Sequence, residues 1–236
     1  MATKTAEKSS FKMQDTNGAA VAAAVEHLAS LSQTALVGGA DLIEMVEQWL
    51  QAKIDEKKTK AQTESAEPYP WWDIYAFGPF QGLAPFPGPL APNSVIKLGQ
   101  SATVITTVFL NPFVNVIATP PTTAAAFLTS FGTIPYTVTV NTGNKSSWTL
   151  AAGAGLNGSQ AGILAPFGAM YFSNAFTFTP TTVGLHEMNI TARIGALGSA
   201  APFGGYATWI WDDTTDIFGD TPSWNLNAPV LFEVYD

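Results

Sequence analysis

Four carboxylates, Asp212, Asp213, Asp216 and Asp220, fall within nine residues, and hard oxygen ligands at that density can hold calcium. Their order departs from an EF-hand loop, with no acids at alternating positions and no terminal Glu, and a solvated acidic turn is the simpler account. These four are nonetheless the candidate metal residues, with calcium the one cofactor their chemistry suits. Just ahead of them stand Trp209 and Trp211. Residues two apart share a face of a strand, so the pair could stack against a sugar ring, although tryptophans so spaced on a buried strand usually belong to a core. Trp49, Trp71 and Trp72 are the other aromatic candidates for an interaction surface.

Gly153, Gly155 and Gly158 have the spacing of a dinucleotide-binding loop. That loop must open a long helix, and here Gly162 and Pro166 follow at once, with no acid about twenty residues on. An ordinary glycine-rich loop is expected. His186 could act as a general base, but alternation turns it inward with Met188 and Ile190, and no serine and acid stand in a recognisable relation to it. No convergent set of acid, base and nucleophile can be named, so a non-enzymatic protein is expected.

Charge narrows the field further. Residues 70–236 carry three cations, Lys97, Lys145 and Arg193, and eight acids, among them Asp73, Glu187 and Glu233. Such a surface cannot track phosphates, so nucleic acid is excluded as a partner. It also offers little electrostatic repulsion between copies, which points to a homo-oligomer. The absence of cysteine removes disulfides, thiolate zinc sites and thiol catalysis together. No run of eighteen apolar residues exists, so no transmembrane helix is expected. The lysine-bearing start lacks the pattern of a signal peptide, leaving the cytoplasm or a non-classical export route.

Elements that would position these residues follow in chain order. Residues 1–14 are polar and without periodicity, which predicts disorder. Residues 15–59 predict two helices, one over Gly18 to Val37 and one restarting at Asp41 with a stripe of Leu42, Ile43, Val46, Trp49, Leu50 and Ile54. That stripe needs a cover, and a helical hairpin or a neighbouring copy would supply it. Residues 60–93 predict a polar linker and then an arm, Pro68 to Pro92, where prolines alternate with aromatics and argue against an interior strand. Residues 94–236 predict the β domain, with strands near Val95–Leu98, Ala102–Leu110, Ile134–Val140, Ser147–Leu150, Ala169–Phe172, Tyr206–Trp211 and Ala228–Tyr235. A hairpin turn is expected at Asn141–Asn144, and glycine- and alanine-rich loops at Ala151–Ala165 and Gly195–Gly205.

The clearest pattern is FTFTPTTVGLHEMNITARI, Phe176 to Ile194. Phe176 and Phe178 alternate with threonines, Pro180 stops the strand, Gly184 lets the chain re-enter, and from His186 to Ile194 every second residue is inward. This stretch resembles the corner before the late strands of immunoglobulin-like sandwiches, where a Tyr usually sits at the place of His186. Together with the seven or eight expected strands and the helices ahead of them, the resemblance implies a mostly-β chain, an antiparallel immunoglobulin-like or jelly-roll-like β-sandwich preceded by an N-terminal helical segment. A non-enzymatic structural, self-assembling protein is the function these features favour. The competing class is a binding module for a carbohydrate or an apolar small ligand.

Overall fold

A computed structural model describes residues 39–61, 72–81, 92–110, 114–115, 122–123, 134–164, 171–195, 203–211 and 228–236. The expected first helix, the expected disorder of residues 1–14, most of the linker and arm, Trp71 and the four clustered aspartates lie outside them.

Helix α1 spans Gly39–Ala61. The strands are β1 (Trp72–Gln81), β2 (Val95–Lys97), β3 (Ala102–Leu110), β4 (Val114–Asn115), β5 (Thr122–Thr123), β6 (Ile134–Asn144), β7 (Thr149–Leu150), β8 (Gly153–Ala154), β9 (Gly158–Leu164), β10 (Tyr171–Pro180), β11 (Gly184–Ile194), β12 (Phe203–Tyr206), β13 (Thr208–Ile210) and β14 (Val230–Tyr235). One sheet runs β13-β1-β3-β10-β8 and the other β2-β14-β11-β6-β7, with β9 added to β6 and β12 to β11. β4 and β5 pair apart from both. With β1, β3 and β10 in one layer, β6, β11 and β14 in the facing layer, and β2 parallel to β14, this is an immunoglobulin-like sandwich.

The corner reads as the alternation requires. β10 and β11 lie in different sheets, so the chain turns between layers at residues 181–183 and sends Met188, Ile190, Ala192 and Ile194 into the space between them. Gly184, with φ of 113°, takes a conformation that side chains rarely adopt, and a Cβ there would stand 2.6 Å from the Ser146 hydroxyl.

The sandwich starts earlier than Ser94. β1 is an interior strand between β13 and β3, inside the segment whose prolines argued against one. Pro79 is tolerated because the β1–β3 register shifts between Phe77 and Phe80, and a bulge needs no ladder hydrogen bond from it. Ile74 and Ala76 face the sandwich core while Tyr75, Phe77 and, beyond the bulge, Phe80 face the other way. β3 divides likewise: Val104, Val108 and Leu110 look inward, Ile105 and Phe109 outward.

What the outward residues meet is α1. Leu42, Met45, Val46, Trp49, Leu50 and Ile54 form a second core with them, and Trp49 packs edge-on to Phe77 at 5.7 Å. The helical stripe is therefore covered by the chain's own first sheet, not by a helical hairpin or a neighbouring copy. A sheet face rich in Tyr, Phe and Ile offers a wider apolar cover than one helix could. Two further expectations shift. Asn141–Asn144 continues β6, because Asn141 and Gly143 pair with Asn189 and Glu187, and the turn falls at residues 145–148. The expected loop Ala151–Ala165 contains β8 and β9, since the end of β10 supplies backbone partners to the first and the long edge of β6 to the second, in a segment of weak strand propensity.

Candidate functional site

The described aromatic candidates, Trp49, Trp72, Trp209 and Trp211, do not form one surface. Trp49 is buried between α1, which carries it, and the first sheet, and Trp72 is half-buried against the sandwich core. Trp209 also packs on that core and donates from Nε1 to the Gly78 carbonyl at 2.7 Å. Trp211 meets it edge-on at 5.7 Å and is half exposed. The structure thus brings Trp209 and Trp211 together, but one is pinned inside and the other alone offers its face to solvent. Among the described residues no cluster of three metal-ligating side chains occurs, and no helix is long and apolar enough to cross a membrane. A shallow groove beside α1 is lined by Glu44, Glu47, Gln48, Gln51 and Tyr171. Burial, then Glu47 and Asp55, push the Tyr171 hydroxyl pKa up.

The glycine loop at 153–158 opens β9 in place of a helix. Gly155 holds φ of 76° with its backbone pressed on Thr177 of β10, so its glycine serves a close strand approach. His186 is fully buried, stacked on Phe232 at 5.3 Å with 7° between the rings. Its Nδ1 lies 2.8 Å from the Gly184 carbonyl and must carry the proton to donate there. Nε2 then accepts, with the Asn144 amide at 3.5 Å and the Thr182 hydroxyl at 3.4 Å. Burial lowers its pKa. The side chain ties the corner together as a corner tyrosine would.

Most exposed large apolar side chains among the described residues gather elsewhere, on the outer face of the second sheet. Alternation and register put Val95, Leu150, Ile163, Leu185, Tyr206, Leu231 and Tyr235 there, among Thr137, Thr139, Asn141, Asn189 and Thr191. The charges sit on the same face. Lys145 pairs with Glu187 at 3.0 Å, and the Asn189 amide, then Lys145, hold the Glu187 carboxyl below its ordinary pKa. Arg193 and Glu233 are exposed at opposite ends.

The turn 145–148 caps one end of this face. Asn144 builds it: Oδ1 accepts from the Ser146 and Ser147 backbone at 3.0 and 3.1 Å, and Nδ2 donates to the Val183 carbonyl at 3.0 Å. Trp148 at its end is 84% exposed and has φ of 57°, a conformation that a bulky residue rarely adopts. Lys145 Nζ lies 5.9 Å from its ring centre. The expected strand Ser147–Leu150 takes in Trp148, which the structure instead places at the end of the turn. Asn144-Lys145-Ser146-Ser147 was the turn signal that would have exposed it.

No family model and no curated protein matches this chain. Solved structures do overlap it at low similarity. A CARDB domain from Pyrococcus furiosus, solved in complex with di-metal ions, is 14% identical, covers 72% of this chain and 97% of its own, and gives a TM-score of 0.32. A PapD-like domain of human CEP192 is 9% identical over 63% of this chain and 91% of its own, at 0.26. A β-glucosidase from Listeria innocua, in complex with glucose, is 9% identical over 61% of this chain and 17% of its own, at 0.27. Overlap at this level carries neither ligand nor activity over to this chain, and the architecture stands on its own strand pairing.

Proposed function

We propose that this is a non-enzymatic, cofactor-free structural protein whose working surface is the outer face of the second sheet. One observation carries the reading: exposed Val95, Leu185, Leu231 and Tyr235 share a flat sheet face with few charges. The helical stripe lends it no support, being covered within the chain. Light scattering after size-exclusion chromatography tests the reading on the full chain. Stable oligomers that persist at high salt, and that Leu185→Lys with Leu231→Lys converts to smaller species, are the expected result. Oligomers indifferent to that pair would remove this face from the reading, and a monomer at all concentrations would remove self-assembly itself.

Trp211 favours a second reading, a carbohydrate-binding module, since its half-exposed ring offers a face on which one sugar could stack. Tryptophan fluorescence during titration with oligosaccharides decides it. A saturable shift that Trp211→Ala abolishes would support binding, and a flat titration would end it.

A further inference from the structure

The three cations of residues 70–236 all belong to one surface. Lys97 on β2, Lys145 in the turn and Arg193 on β11 stand on or at the rim of the outer face of the second sheet. Lys145 is neutralised by Glu187. Arg193 ends the face at the β6 start, where it pairs with Thr137, and Glu233 lies at the other end beside Leu185, with Lys97 and Asp236 nearby. The face thus has a positive end and a slightly negative one, with neutral Thr and Asn between.

We propose that the occupant of this face is a second copy of the same chain, packed face to face about a two-fold axis that crosses β11 at Asn189. This deepens the assembly reading and rests on it. Asn189 lies midway between Arg193 and Leu185, so such an axis places residue 193 of each copy over residue 185 of the other. Glu233 is one strand away, about 4.8 Å, within the reach of an arginine side chain. The same operation makes an independent match. Tyr206 is in register with Thr191, and Leu231 with Glu187, both on the same flank of β11, so Tyr206 of one copy lands on Leu231 of the other. A polar contact and an apolar contact therefore close under a single axis, as an isologous interface requires. At about 4.8 Å between strands and about 3.3 Å per residue, the strands present a face of about 600 Å² per copy. Twice that is about 1,200 Å², the lower end of what stable interfaces bury.

The experiment is sedimentation of the full chain and three variants, with thermal unfolding as a check that each is folded. Arg193→Glu and Glu233→Arg are each expected to weaken the dimer at least tenfold, and the double variant R193E/E233R to restore it. Restoration is the discriminating result, because a merely structural role for either side chain would leave the double variant as weak as the singles. Oligomers of unchanged size and affinity in both single variants would overturn this geometry while leaving assembly through another surface standing. Weakening without rescue would likewise overturn it. A wild-type monomer at every concentration would overturn both this geometry and the assembly reading, and would assign the face to a different protein.

Discussion

Among the described residues the Thr106 hydroxyl is buried in β3 without a hydrogen-bond partner. A stranded hydroxyl costs its desolvation, so Thr106→Val, which keeps the branched shape, is expected to raise stability by about 1 kcal/mol in urea unfolding. Two titrating residues oppose each other. Burial raises the Asp73 pKa from 3.8 to about 6, outweighing the hydrogen bonds from Ile74 and Tyr75. The folded chain holds that proton longer than the unfolded one, so stability is greatest below pH 3.8 and falls as pH rises to about 6. For His186 the sign reverses. Its lowered pKa means that the unfolded chain takes up the proton first, so stability is whole above pH 6.5 and drains as pH falls below it. Unfolding midpoints measured across pH 4 to 7 should therefore show a steeper acid-side loss in Asp73→Asn and a shallower one in His186→Phe. Profiles parallel to wild type would contradict both assignments.

At the scale of elements, α1 is part of the fold. Leu50, fully buried between the helix and the first sheet, is expected to cost about 2–5 kcal/mol when changed to Ala. Removing residues 1–61 uncovers Tyr75, Phe77, Phe80, Ile105 and Phe109 together. The expected product is an aggregating, destabilised sandwich, checked by the soluble yield and the unfolding midpoint; a clean, stable monomer would show that α1 is dispensable. How far the elements were legible follows from their burial. β11 could be read from its alternation because one face is solvated. β1 could not, because both of its faces are buried and the alternation vanishes into a run of aromatics. β9, mostly Gly, Ser, Gln and Ala before Ile163 and Leu164, is held as a strand by its pairing with β6. The corner histidine was legible from its neighbours in sequence, whereas the face that collects Lys97, Lys145 and Arg193 emerges only once strands about fifty residues apart are in register.

The described residues form three layers, with helix, first sheet and second sheet sharing two cores. Among the described residues the first sheet is covered on both faces, whereas the second sheet exposes Val95, Leu185, Leu231 and Tyr235 on one. Among the described strands the two parallel pairings join the residues farthest apart in sequence: β1 meets β13 through residues 75–77 and 208–210, and β2 meets β14 through 95–97 and 233–235. For a chain emerging from a ribosome at about 5–20 residues per second, β1 waits roughly 7 to 27 seconds for β13, although β3 reaches it much sooner. During that interval the aromatic strand and the helix stripe can pair with each other, but the sandwich cannot shut. Until then the outer face of β1 depends on α1, which is synthesised before it, for its cover.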